Sequence, residues 1–232
     1  MLEVQNLYVG YYRDLNILQG VSITAQEHRI TAILGANGVG KSTLLKAIFG
    51  FLKPASGKVI FKGKEITGMQ PYNLIKLGMS YLPQQPGIFP WMSVEENLEL
   101  GAWIFRKDRK TIAKKIKAVY QRFPQLQQRR RSKAGELSGG MQRMVEIGRA
   151  LMTDPTLLLI DEPTAGLAKL LAEEVYRTLT RLKEEGITIV LVDQQIKQAL
   201  KIADYVYVLV LGRNHLEGPV GEFQDLKKVL WT

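Results

Sequence analysis

At about 150 residues per domain, a chain of 232 residues makes one large domain or one with a small appendage, and its 46% hydrophobic content suffices for a substantial core. With no cysteine it has no disulfide, no thiolate chemistry and no cysteine-ligated zinc, and two isolated histidines are too few for a histidine metal cluster. The net charge of +10 is uneven: the stretch from Trp103 to Lys133 carries +11 and the remainder −1, so the body is neutral and one segment holds the whole basic excess.

Met1-Leu2-Glu3 has neither the basic nor the apolar region of a secretion signal, and no run of about eighteen apolar residues occurs, so a protein kept in the cytoplasm is expected. The first 30 residues, and later Gly57 to Gly63, alternate apolar and polar positions, a pattern of antiparallel strands covering one edge of a core. Arg29 to Leu34 is a short β-branched run that predicts a buried strand, and a helix through Thr43, Leu44, Leu45 and Lys46 follows the glycine-rich stretch after it. Ser93-Val-Glu-Glu96 has the serine and the glutamate three residues on that make a capping box, so a helix starts there and runs into the basic segment. Residues from about 86 to 145 therefore form a mostly helical insertion. Within it the aromatics Trp103, Phe105, Tyr120 and Phe123 are too sparse for a base-stacking platform, and a solvated helical face is the plain reading of the charge, with lipid headgroups or a partner as alternatives.

Further on, Leu157 to Asp161, Ile187 to Val192 and Tyr205 to Leu211 are apolar runs that alternate with helical patterns. Leu171, Val175, Leu179 and Leu182 share one face of a helix from about Leu170 to Glu185, which Gly186 stops. That alternation predicts an α/β fold built on a parallel sheet.

The stretch Gly35-Ala-Asn-Gly-Val-Gly-Lys-Ser42 fits G-x-x-x-x-G-K-[ST] between a strand and a helix. Gly35, Asn37, Gly38 and Gly40 let the backbone curl so that N–H groups, with those of Lys41, Ser42 and Thr43 at the helix start, surround a phosphate. Lys41 would neutralise β- and γ-phosphate oxygens, and the Ser42 hydroxyl would take one position on Mg2+, so ATP with magnesium is the expected ligand. The apolar strand Leu157-Leu-Leu-Ile-Asp161 supplies a carboxylate for the metal side, and Glu162 comes next, placed to orient or deprotonate an attacking water.

Between these motifs, Leu137-Ser-Gly-Gly-Met-Gln-Arg143 resembles the signature sequence of ABC-type ATPases, and motif order and spacing agree over the whole chain. The resemblance implies a P-loop NTPase (RecA-like) parallel-sheet core with an antiparallel β subdomain and an inserted α-helical subdomain. It makes 1–232 a single domain, with the core and β edge in 1–85 and 146–232 and the insertion at about 86–145. It also implies a second ABC ATPase subunit, identical or not, meeting this one head to tail so that Ser138, Gly139 and Gly140 of one chain close on the ATP held by the other. Tyr12 matches the aromatic that stacks on adenine, with Tyr11 the competing assignment. Gln84 matches the glutamine that contacts magnesium and the attacking water, and Gln85 to Trp91 looks like the lining of a groove for a membrane subunit.

Two positions depart from the family pattern. Gln194 stands where most relatives have a histidine on the γ-phosphate; its amide can donate a hydrogen bond but carries no charge, which leaves more of the catalysis to Glu162. Ala168 stands where many relatives have an aspartate that couples the two sites. The glutamine and the Gly-Leu-Ala segment together look like the ATP-binding subunits of branched-chain amino-acid importers, with urea and short-amide importers similar. What this implies is a peripheral ATPase on the cytoplasmic face of the membrane, bound to two permease subunits and served indirectly by an extracytoplasmic binding protein, with no nucleic acid expected. A non-transport ATPase acting on DNA or ribosomes is the rival reading of the basic segment. Against it, no long coiled coil separates the loop from the signature and the chain has one ATPase unit. A GTPase is excluded by the lack of an Asn-Lys-x-Asp motif.

Overall fold

The computed structural model describes residues 1–12, 15–85 and 87–223, with Tyr12 described for its backbone alone. Strands β1 (Leu2–Tyr12) and β2 (Leu15–Ala25) pair antiparallel, and β1 also pairs with β4 (Ser56–Phe61), which holds the short β5 (Lys64–Glu65), giving the order β2-β1-β4-β5. This is the antiparallel sheet that the alternating N-terminal pattern predicts.

A six-stranded sheet forms the centre. Its order is β10 (Arg213–Pro219), β9 (Tyr205–Val210), β3 (Ile30–Leu34), β8 (Thr188–Val192), β7 (Leu157–Asp161) and β6 (Met79–Leu82). From β9 to β6 every pairing is parallel, with Ile30 opposite Ile189, Leu157 opposite Thr188 and Met79 opposite Leu157. All residues of β3, β7 and β8 are buried, as strands covered on both faces must be, which is why they stand out in the sequence as mostly apolar runs. β6 is not anticipated by the sequence because four residues between Gly78 and Pro83 are too few to show a period. β10 turns back antiparallel on β9 through Leu211 and Gly212, whose φ values of 47° and 75° make the tight hairpin turn that suits twisted strands.

Helix α1 (Lys41–Ile48) lies between the two sheets, and α2 (Pro71–Lys76), opened by its proline, leads into β6. On the other face pack α6 (Gly139–Leu151), α7 (Lys169–Glu184) and α8 (Ile196–Ile202), and beside α6 lies the group α3 (Val94–Gly101), α4 (Arg109–Arg122) and α5 (Pro124–Gln128). The Ser93 capping box is present, its hydroxyl accepting from the Glu96 N–H while the Glu96 carboxylate accepts from Ser93 N–H at 2.7 Å. On α4 the cations Arg109, Lys110, Lys114 and Lys117 are exposed, whereas Lys115 turns inward to pair with Asp154 and lies over the Phe105 ring. Buried Leu, Ile and Val side chains each contribute about 1.5–3 kcal/mol of transfer free energy, so two cores gripping both faces of the sheet make its strand ends a rigid base. The loops after β3, β6, β7 and β8 all leave the carboxyl ends of parallel strands, where open α/β sheets bind ligands.

Candidate functional site

The chain leaves β3 at Leu34, turns through Gly35 to Gly40, and enters α1 at Lys41. Gly35 has φ 150°, and a Cβ on it would sit 2.5 Å from the Leu209 carbonyl oxygen, so no larger residue fits without moving backbone. Gly40, at φ 103°, caps α1 in the left-handed region, which frees the first N–H groups of the helix to face outward. Lys41 folds back over the loop, its Nζ donating to the carbonyls of Gly35 at 3.0 Å and Ala36 at 2.9 Å, and lies 3.9 Å from Glu162 Oε1. Burial pushes the Lys41 ammonium below its usual pKa, against the upward pull of Glu162, Asp161 and Asp193. Gly35→Ala is expected to add about 2 kcal/mol of strain and so lower the melting temperature by roughly 4–8 °C. An unchanged thermal melt would show that the loop can take a Cβ.

β7 delivers Asp161, which is 2% exposed. Its Oδ1 accepts from the Ser42 hydroxyl at 2.9 Å and its Oδ2 from the Tyr81 hydroxyl at 3.2 Å, so one carboxylate ties α1 to β6 and β7. Burial pushes this carboxyl up while the two hydroxyl donors pull it down. Glu162 sits at φ 43°, and its N–H donates to the Val192 carbonyl at 2.8 Å. Glu162 Oε2 accepts from the Gln84 amide at 2.6 Å and also from the Gln194 amide. Gln194, expected near the γ-phosphate, thus has its amide on Glu162.

A cavity of about 430 Å³ brings Asn37, Gly38, Gly40, Lys41, Ser42 and Thr43 together with Gln84, Glu162 and Gln194. Tyr11, half exposed, is on its rim; the side chain of Tyr12 lies outside the described residues. Ser138, Gly139 and Gly140 do not line it. Ser138 caps α6, its Oγ accepting from Met141 N–H at 3.4 Å, and Ser138 and Gly139 are exposed. A Cβ on Gly140 would lie 2.7 Å from Leu171 Cδ2, so the glycine also lets α6 start against α7. Ala168 precedes α7 and caps it with no side-chain hydrogen bond.

Sequence reasoning missed Tyr81, and it missed a buried network joining the loops after β7 and β8. There the Tyr176 hydroxyl donates to Asp193 Oδ2 at 2.8 Å and lies 3.1 Å from Thr164 Oγ1, and the Gln195 amide donates to that same Thr164 oxygen at 3.2 Å. Gln195 N–H completes it on Asp193 Oδ1 at 2.8 Å. Burial pushes both the Asp193 carboxyl and the Tyr176 phenol above their usual values. The one sequence signal was the polar run Asp193-Gln194-Gln195 directly after an apolar strand.

Comparison with known proteins agrees with this geometry. The family model described as ABC transporter matches residues 18–165. The chain is 39% identical over 229 residues to the probable branched-chain amino acid transport ATP-binding protein LivF of Archaeoglobus fulgidus, covering 98% of this chain and 96% of that one. A solved structure of the ADP conformation of an ATP-binding cassette of an ABC transporter superposes with TM-score 0.88 at 36% identity, covering 99% of this chain and 94% of the other. A dimeric structure of a bacterial ABC transporter cassette matches with TM-score 0.82 at 26% identity, over 95% of this chain and 99% of the other. With motifs, strand order and near full-length similarity all in accord, the chain belongs to the ABC transporter family as an ATP-binding subunit and is an ATPase.

Proposed function

We propose that this ATPase powers the import of branched-chain or other small neutral amino acids, working as one unit of a dimer bound to two membrane subunits. The observation that carries the enzymatic part is the convergence of Lys41, Ser42, Gln84 and Glu162 on one cavity. Support for the amino-acid cargo comes from the relative named for branched-chain amino acid transport, which matches the chain from end to end.

In this reading ATP lies with its phosphates on Gly35 to Thr43 and its adenine against Tyr12 or Tyr11, and Glu162 accepts the proton of the attacking water. Magnesium fits the oxygens present: Ser42 lines the cavity and its hydroxyl contacts the buried Asp161 carboxylate, both are hard donors, and burial makes that carboxylate costly without a cation nearby. Ser42, Asp161 and Gln84 would hold the ion, which supplies charge neutralisation to the phosphates. Gln194 keeps Glu162 oriented. Ser138 and Gly139, exposed, and Gly140, buried against α7, all lie away from the chain's own cavity and would close on the nucleotide of the partner ATPase.

Membrane association then runs through the two membrane subunits; no helix among the described residues is long and apolar enough to cross a membrane. The surface for it is an apolar cavity of about 750 Å³ that includes Phe51, Tyr72, Phe89, Trp103 and Ile104. Its aromatics are exposed well beyond a core residue, Trp103 at 60% and Tyr72 at 58%. Within the single domain, the described residues of 1–85 and 146–232 build the nucleotide side and those of about 86–145 the helical side of this groove.

Affinity purification of the tagged chain from gently solubilised, nuclease-treated membranes tests the reading. Recovery with two multi-span membrane proteins is the expected result, and their binding protein can be titrated with leucine, urea and short amides to fix the cargo. Recovery with ribosomes or DNA and no membrane protein would overturn the transport assignment and make the basic segment the functional surface.

A further inference from the structure

α6 carries three charged side chains spaced three residues apart, Arg143, Glu146 and Arg149; the first two are buried and the third is half-buried. Arg143 and Glu146 form an ion pair at 2.8 Å with side chains 4% and 1% exposed. The pair is not closed on itself. Arg143 Nη1 donates to the Pro83 carbonyl and Nη2 to the Gln84 carbonyl, each at 3.0 Å. Glu146 Oε1 accepts from the Gly87 N–H, and Arg149 Nη1 donates to the Gly87 carbonyl at 2.5 Å. Three side chains of one helix thus satisfy four backbone groups of the segment that leaves β6.

Isolated buried ion pairs contribute little to stability, because desolvation offsets their attraction, so this one calls for a different explanation. Its two ends give one. Glu146 and Arg149 also line the apolar groove, next to Gly87 and Phe89, and the Arg149 guanidinium lies 5.6 Å from the Phe89 ring centroid. Arg143, at the other end, holds the carbonyl of the residue whose side-chain amide rests on Glu162. A continuous chain of hydrogen bonds therefore links the groove to the catalytic carboxylate through α6, the helix whose first turn is Ser138 to Gly140.

We propose that Arg143 and Glu146 are positioning residues: they lock the Gln84 backbone to the signature helix and so set the placement of the Gln84 amide on Glu162. The inference rests on the roles proposed above for Gln84 and Glu162.

The test is steady-state ATP hydrolysis by the purified full chain, with thermal melting in parallel. Replacing both charges with apolar side chains of similar size, Arg143→Met with Glu146→Leu, leaves neither half of the ion pair without the other, but it takes their partners from the Pro83 and Gln84 carbonyls and the Gly87 N–H, so the melting temperature is expected to fall by several degrees and hydrolysis is read well below the melt. Its kcat is expected to fall about ten-fold with KM for ATP within about two-fold, because a misplaced amide slows the chemical step without touching the phosphate loop. Adding Gln84→Ala should cause no further loss beyond Gln84→Ala alone, since both act through one group. A folded double variant with full kcat, or a loss that multiplies with that of Gln84→Ala, overturns the proposal. If the double variant does not fold, Glu146→Gln takes its place, with the same loss of kcat expected and an unchanged kcat counting against it. Gln84→Ala by itself separates the two levels: full activity there would sink the reading of the site, whereas a slow Gln84→Ala beside a fast double variant sinks only the positioning role.

Discussion

Glu162→Gln is expected to slow ATP hydrolysis by about 10²–10⁴-fold while leaving ATP binding intact. Glu162 is 6% exposed and its Oε2 is already held by the amides of Gln84 and Gln194. An amide at this position keeps one oxygen that can accept such a bond, so the shape of the site survives, but it cannot take a proton from water. The variant should therefore bind ATP with near-parental affinity and accumulate as an ATP-bound dimer. Equilibrium titration and size-exclusion chromatography with ATP would show both effects, and hydrolysis at the parental rate would remove Glu162 from the mechanism.

Lys41→Ala should fail at the earlier step. A charge-assisted hydrogen bond to phosphate contributes about 1.5–3 kcal/mol, so the dissociation constant for ATP is expected to rise roughly 10- to 100-fold. The loss falls on binding and not on folding, because burial already works against the charged form of this lysine and its removal relieves that cost. Without its ammonium the triphosphate would also face Asp161 and Glu162 with less compensation, which adds to the loss. Calorimetric titration with a melting curve in parallel separates the two effects. Parental affinity would rule out Lys41 as a phosphate ligand.

What the sequence made legible were features set by local chemistry. The glycine spacing of 35–40 encodes a backbone path, and the structure holds Gly35 and Gly40 at positive φ with no space for a side chain. The runs of β3, β7 and β8 were legible because burial on both faces leaves few polar positions to interrupt them. Long-range pairing escaped it. Arg143 and Glu146, three apart on a helix, carry the spacing of an ordinary solvent-facing pair, and only the packing of α6 against the segment after β6 buries them. Lys115 likewise belongs to a basic run, yet it alone among the α4 lysines turns inward. For Gln194, spacing placed the residue correctly after β8 but could not say which atom its amide would meet.

The left-handed backbone at Glu162 sets stability against activity at a single residue. A glutamate at φ 43° carries strain of about 1–3 kcal/mol, whereas asparagine adopts that region several-fold more readily. Directed evolution for heat resistance alone would therefore drift toward Glu162→Asn, relaxing the backbone and silencing the enzyme in one step. Screens for sturdier forms of this protein need turnover, and not survival of the fold, as the property selected.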